Sequence, residues 1–254
     1  MTLHVESLGA GQDLVLLHGW GMHGGVWQSA ARRLAQDFRL HLVDLPGYGA
    51  SSPCRPYSLE RIAEVLAQAL PERVAVCGWS LGGQAALAWA LRQPRQIHRL
   101  VLVGATPCFT RRPGWAHGIE RGVFDEFART LQRDYEGTLK RFLSLQARSG
   151  DQARQVIGQL RAGLFTRGRP AAAVLQAGLR LLLEGDLRHR AGEVRQPALL
   201  VHGERDTLVP MEAARWLAGH LPAARLEAVN GAAHAPFLSH EPEFVDCVTG
   251  FLNE

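Results

Sequence analysis

The stretch RVAVCGWSLGGQAALAWALRQ, residues 73–93, decides the fold. It begins with a near-continuous apolar run, the pattern of a strand buried on both faces. It ends in Ala and Leu at helical spacing. Between the two, Gly78-Trp79-Ser80-Leu81-Gly82 is a Gly-x-Ser-x-Gly sequence. A chain that passes from strand to helix in so few residues must turn sharply. Glycines two places either side of Ser80 remove side chains that would collide in that turn. The turn thrusts the serine hydroxyl out at the carboxyl edge of a sheet. It also sets it at a helix N-terminus, where the dipole favours developing negative charge. Ser80 is the candidate nucleophile.

Working outward, the strand pattern recurs at residues 13–19 (DLVLLHG), 38–44 (FRLHLVD), 99–104 (RLVLVG) and 197–203 (PALLVHG), each rich in Val and Leu and bounded by Gly, Pro or Asp. Helical patterns at 25–36, at 58–70 opening on Ser58, and at 80–93 separate several of them. Alternation of this kind predicts an α/β fold with a mostly parallel central sheet flanked by helices. After Thr106 it breaks, and residues from about 110 to 190 read as helices only. Their apolar residues keep helical spacing in four groups: Ile119, Val123, Phe124, Phe127 and Leu131; Tyr135, Leu139, Phe142 and Leu143; Val156, Ile157, Leu160 and Leu164; and a last one from Pro170 to Gly185. The expected organisation is a core of residues 1–110 and 191–254. Residues 111–190 form an inserted all-helical cap over the carboxyl edge of the strands, where ligands bind in open sheets.

The 254 residues carry 28 Lys+Arg against 24 Asp+Glu, a net charge of +4, with Lys140 the one lysine. No basic run of the sort that nucleic-acid binders concentrate is present, so no nucleic-acid partner is expected. The charge is uneven: residues 111–190 hold 15 basic and 8 acidic residues, a net of +7, which leaves −3 for the remainder. A basic insert is suited to steering an acidic partner. Cys54, Cys77, Cys108 and Cys247 are widely spaced and read as reduced, mostly buried thiols. The N-terminus lacks an export pattern, and no apolar stretch reaches 18 residues, so a cytoplasmic protein without a membrane span is expected.

A serine hydroxyl needs a base, and the base an orienting acid. Asp206 lies just past PALLVHG, on a loop at the same sheet edge as Ser80. Glu204 competes from closer to the strand, but the longer reach favours Asp206. The alternative role for an Asp in such a loop is that of a helix cap or turn residue. Among eleven histidines, His234 follows the strand-like RLEAV and precedes the last helix, the place from which a loop histidine can drop onto the serine. His240 reads as a helix N-terminal residue, and His18, His41 and His202 as structural histidines in or at the ends of strands. No histidine pair has metal-ligand spacing, and no metal or other cofactor is expected. Two oxyanion donors are needed. The backbone N–H groups of Leu81, after the nucleophile, and of Trp20, in the turn His18-Gly19-Trp20-Gly21, are placed to supply them.

HGWGMHGGVW at 18–27, VDLPGYGAS at 43–51, GWSLGG at 78–83, GERDTLVP at 203–210 and HAPFLSH at 234–240 resemble the α/β-hydrolase superfamily over essentially the whole chain. The combination of HGWG, GWSLGG and AAHAPFLSH, with ATPCF at 105–109 and KRFLSLQ at 140–146, is most similar to its members that remove the methyl ester from pimeloyl-[acyl-carrier protein] in biotin biosynthesis. The resemblance implies Ser80, Asp206 and His234 as the triad and Trp20 and Leu81 as oxyanion donors. It implies a substrate surface of Trp20, Ser80, Leu81, His234 and the cap residues Phe142, Leu143, Ser144, Leu145 and Gln146. Phe142, Leu143 and Leu145 at helical spacing would be plain core in most proteins. Acyl-carrier protein is the implied partner of a monomeric enzyme, with Arg141 and Arg154 matching a basic docking face. Gly137 and Gly158 stand where further arginines are expected, so docking can be redistributed onto Lys140, Arg148 or Arg161. The same triad would serve a general short-chain carboxylesterase or a carbon–carbon bond hydrolase, and the same scaffold a non-catalytic ligand receptor.

Overall fold

The computed structural model describes residues 2–147 and 150–254; Arg148 therefore lies outside the described residues. One sheet contains β1 (Val5–Leu8), β2 (Gln12–Leu17), β3 (Phe38–Val43), β4 (Val74–Trp79), β5 (Ile97–Val103), β6 (Ala198–Gly203) and β7 (Ala224–Val229), in the order β1-β3-β2-β4-β5-β6-β7. All neighbours are parallel except β1, which runs antiparallel to β3. Every residue of β4 and β6 is buried, as expected of strands covered on both faces. Edge strand β1, only four residues and none of them buried, escapes an apolar-run search.

The helices are α1 (Gln28–Leu34), α2 (Leu59–Ala69), α3 (Leu81–Arg92), α4 (Arg121–Arg133), α5 (Tyr135–Ala147), α6 (Ala153–Gly163), α7 (Ala172–Glu184), α8 (Met211–His220), α9 (Pro236–Ser239) and α10 (Glu241–Leu252). Ser58 caps α2, its hydroxyl accepting from Arg61 N at 3.1 Å, which satisfies a backbone donor that a helix start leaves free. A 3-10 turn, Gly24–Trp27, occupies the first residues of the pattern expected at 25–36, so the α-helix there is shorter than its periodicity suggests. No helix among the described residues is long and apolar enough to cross a membrane.

Chain order reverses between β2 and β4: β3 lies on one side of β2 and β4 on the other, with Leu17 level with Gly78. A crevice opens at the carboxyl ends of two strands that diverge in this way. The turn after β2 and the turn after β4 thus meet at one place.

Helices α4 to α7 all fall between β5 and β6, and Leu131, Leu139, Leu143, Val156, Leu160, Leu175 and Leu182 fill the space among them and beneath. The expectation of helices only from about 110 needs one correction. Residues 108–119 hold no helix but isolated bridges: Thr110 bridges Ile119, Arg112 bridges Trp115, and Cys108 bridges Asp186. Pro113-Gly114, with Gly114 at φ 72°, makes the turn between Arg112 and Trp115. Proline followed by a left-handed glycine is a turn signal that stops a helix whatever the apolar spacing around it.

Candidate active site

Ser80 stands at φ 55° and ψ −114°, and among the described residues it alone has a positive φ without being glycine. The reason is steric. A Cβ on Gly78 would lie 2.4 Å from the carbonyl oxygen of Gly82, and one on Gly82 would lie 2.4 Å from that of Leu17. Both positions bring backbone against backbone, so only glycine lets β4, Ser80 and α3 close up under β2. The side chain of Ser80 makes no capping hydrogen bond to α3, which leaves its hydroxyl for other work.

His234 and Asp206 arrive on the loops after β7 and β6. His234 Nδ1 lies 2.7 Å from Asp206 Oδ2; the carboxylate accepts, so Nδ1 donates and Nε2 carries the lone pair. Nε2 is buried and has no hydrogen-bond partner among the described residues. Asp206 Oδ1 accepts from the N–H groups of Leu208 and Val209, each at 2.9 Å. Burial pushes the Asp206 carboxyl up, but the adjoining His234 and His202 rings and the backbone donors outweigh it and hold the group below its ordinary value. Glu204, the competing acid, is exposed.

Three contacts that sequence reasoning missed hold the imidazole. Trp79 Nε1 donates to His234 O at 2.8 Å, and the Trp79 ring lies 5.7 Å from the imidazole. His234 N donates to Gln146 O at 3.0 Å, so the end of α5 grips the histidine loop. Gly104, at φ 51°, has the imidazole 3.0 Å from where its Cβ would be. The signals were a Trp inside the Gly-x-Ser-x-Gly turn, whose indole N–H needs a buried acceptor, and a glycine closing RLVLV.

The turn His18-Gly19-Trp20-Gly21 lies against the turn that carries Ser80: a Cβ on Gly82 would stand 2.7 Å from His18 O, and one on Gly19 3.0 Å from the Trp79 ring. His18 is fully buried, and burial brings its pKa down to about 4. As a neutral ring it donates from Nδ1 to Gly19 O at 2.8 Å and accepts at Nε2 from Leu45 N at 2.9 Å. His41 and His202 are likewise tied into structure, the first to Asp13 at 2.7 Å and the second to Val209 O at 2.8 Å; His240 stands at the N-cap position of α10 with no side-chain cap bond, its Nδ1 2.8 Å from Ser239 Oγ. Trp20 Nε1 donates to Leu175 O at 2.9 Å. Neither the Trp20 nor the Leu81 backbone N–H donates to an acceptor among the described residues, so both are available to an incoming oxygen.

Trp20, Phe127 and Phe142 form a ring cluster with centroids 5.0–5.5 Å apart where α4 and α5 meet the core. Beside it a wholly apolar groove of ≈ 50 Å³ is walled by Phe109, Val123, Phe127, Phe142, Leu145 and Leu208, among others. Phe142 and Leu145 therefore line it. Leu143 is buried within the insert, and Ser144 donates to Lys140 O at 2.9 Å and accepts from Arg161 at 3.0 Å. Gln146 lines a separate small cleft with Val156, Ala233 and Ser239. Arg141 and Arg154 are both exposed; Arg141 pairs with Asp134 at 3.4 Å, whereas Arg154 has no ion pair among the described residues.

Residues 14–241 match the family profile described as alpha/beta hydrolase fold. The chain is 48% identical over 246 residues to a pimeloyl-[acyl-carrier protein] methyl ester esterase of Nitrosomonas europaea, covering 97% of this chain and 98% of the relative. It is 46% identical to the protein of the same name from Chromobacterium violaceum, over 99% and 98%. Among solved structures, an esterase from Exiguobacterium antarcticum superposes with a TM-score of 0.88 at 25% identity, over 99% of this chain and 96% of that one.

Proposed function

The chain belongs to the α/β-hydrolase family, and from that premise we propose that it is a serine carboxylesterase that hydrolyses the methyl ester of pimeloyl-[acyl-carrier protein] to pimeloyl-[acyl-carrier protein] and methanol in biotin biosynthesis. The observation that carries the chemistry is a His234 whose Nδ1 is spoken for by Asp206 and whose Nε2 is not, held through Trp79 beside the strained, uncapped Ser80. Ser80 attacks the ester carbonyl as its proton passes to Nε2. Trp20 and Leu81 N–H groups hold the oxyanion, and the imidazolium gives the proton to departing methanol. Water, deprotonated by the same nitrogen, attacks the acyl-enzyme; collapse of the second tetrahedral intermediate returns the proton to Ser80 and frees the carboxylic acid. Asp206 holds the tautomer and stabilises the imidazolium at each stage.

Residues 1–110 and 191–254 serve as the core, and residues 111–190 as the cap. Phe142 and Leu145 support a path for the acyl chain through the apolar groove. Leu143, Ser144 and Gln146 support it from behind. The acidic carrier docks on the basic cap through Arg141 and Arg154. Arg161, on the same helix as Arg154 and seven residues on, belongs to the same face.

Ser80→Ala is the direct test: the variant is expected to fold but to lose hydrolysis of p-nitrophenyl butyrate by at least about 10³-fold. Retained turnover removes Ser80 from the reaction. Substrate identity is tested separately by comparing kcat/KM for the carrier-bound methyl ester with that for free dimethyl pimelate. A clear preference for the carrier-bound form is expected.

A further inference from the structure

Residues 163–167, from the last residue of α6 into the link to α7, grip the core on both sides of the oxyanion turn. Arg167, largely buried, places one guanidinium between two core carboxylates: Nη1 donates to Asp44 Oδ1 at 3.2 Å, and Nη2 donates to Glu6. Asp44 is fully buried at the end of β3. Its Oδ1 also accepts from Gly24 N at 2.7 Å and its Oδ2 from Ala50 N at 3.0 Å. Four residues earlier in the insert, Gly163 O accepts from His23 Nε2 at 2.7 Å, while His23 Nδ1 accepts from Gly25 N at 3.1 Å. Asp44 is joined to Leu45, whose N–H is held by His18, and His18 in turn holds Gly19 O. Residues 18–24 are thus stitched to residues 44–45, and the insert fastens both strips at His23 and at Asp44. Together with the bond from Trp20 Nε1 to Leu175 O, that makes three attachments around the turn that presents the Trp20 N–H.

We propose that Arg167 is a positioning residue for the reaction. By neutralising Asp44 from the insert side it seats the 163–167 segment and so fixes the oxyanion turn. The insert then contributes to transition-state stabilisation even for esters too small to touch it. The physical case is that a buried carboxylate is tolerated when its charge is paired and its lone pairs are filled. With Arg167 removed, Asp44 keeps two backbone donors and the half-exposed His4 ring, 4.0 Å from Oδ2, but loses its permanently charged partner and gains a route to water. The Asp44–Leu45 strip that anchors His18 is then free to shift. A donor displaced by a fraction of an ångström keeps the fold and loses rate. Arg169, two residues on, is the natural control: it is exposed, pairs with Glu136 inside the insert at 2.5 Å and lies over the Phe165 ring at 4.9 Å, so it touches the same segment without an ion pair to either core strip.

This inference rests on the reading of Trp20 and Leu81 as oxyanion donors. The test compares Arg167→Met, which keeps the length of the stem, with Arg169→Met, using p-nitrophenyl acetate as substrate and phenylboronic acid as a tetrahedral analogue. Expected for R167M are a kcat about 10-fold lower, KM changed less than about 3-fold, and boronate affinity weakened in parallel with kcat. R169M is expected to match the parent. If R167M and R169M behave alike, or R167M raises KM with kcat and boronate affinity intact, the proposal is overturned. Should R167M not fold, Arg167→Lys carries the test, because an ammonium cannot bridge both carboxylates. A smaller parallel loss of kcat and boronate affinity is then expected, and parental values overturn the proposal. An active Ser80→Ala would instead undo the underlying esterase reading, so the two failures are distinguishable.

Discussion

At Ser80 the backbone occupies a region that costs an L-residue of order 1 kcal/mol, and the residue's role explains why that cost persists. Two variants without a hydroxyl separate strain from chemistry. Ser80→Gly and Ser80→Ala should be equally inactive, yet the glycine variant should be the more stable by about 1 kcal/mol in urea unfolding, because glycine accepts φ 55° freely. Equal midpoints would mean that the turn is not strained. His18 supplies a pH prediction. Its folded-state pKa, about 4, lies below the unfolded value near 6.5, so the unfolded chain binds the proton first. Stability contributed by the neutral ring is complete above about pH 6.5 and is lost as pH falls toward 4, by up to about 3 kcal/mol. His202, buried and shifted the same way, adds to the slope. Urea midpoints measured from pH 7 to pH 4.5 should fall steadily; a flat profile contradicts a buried neutral His18. The strained turn at Ser80 and the meeting of Asp206 with His234 were legible because each residue sits at a strand's carboxyl end in a recognisable order. The contacts of Trp79, Gly104 and Gln146 with His234 were not, since they join residues more than 80 positions apart.

At the scale of elements, glycines sort by what surrounds them. Gly82 in α3 lies against β2, and the added methyl of Gly82→Ala would meet backbone that cannot give way. A loss of about 2 kcal/mol or more is expected, with activity falling because β2 leads into the turn proposed to supply the Trp20 N–H. Gly158 in α6 has nothing within 4 Å of its would-be Cβ. There Ala should stabilise by about 0.5–1 kcal/mol, read as a raised thermal midpoint with unchanged small-ester turnover. Strand and helix periodicity located β2 to β6 and all four insert helices to within a few residues. It failed at residues 108–119, where a Pro-Gly turn and bridges to distant residues override local apolar spacing.

Across the whole molecule, charge divides as it does along the chain, but pairing decides which charges are free to act. Arg141 shares Asp134, Arg169 shares Glu136 and Arg129 shares Glu126, whereas Arg154 stands unpaired among the described residues. Arg154→Glu should therefore lower kcat/KM for carrier-bound substrate more than Arg141→Glu does, and the double reversal by about 10-fold or more at low salt. The effect should fade above about 0.3 M salt, where screening is strong, and should spare free esters. Equal losses on free and carrier-bound esters would remove the docking role from this face.

Reading the sequence was enough for the fold class, the place of a helical insert, the sharp turn at Ser80 and the acid and histidine that meet, Asp206 and His234. Those properties follow from periodicity and from steric demands within a few residues of each motif. Only the folded chain brings Leu17 level with Gly78, and so the turn at residues 18–21 beside the turn at Ser80. It alone decided that Phe142 and Leu145 face the apolar groove while Leu143 packs inside the insert, and that Arg167 closes over Asp44 from 123 residues away. Such pairings are set by how strands order and how helices settle on them. That depends on burial summed over the whole chain and leaves no local mark.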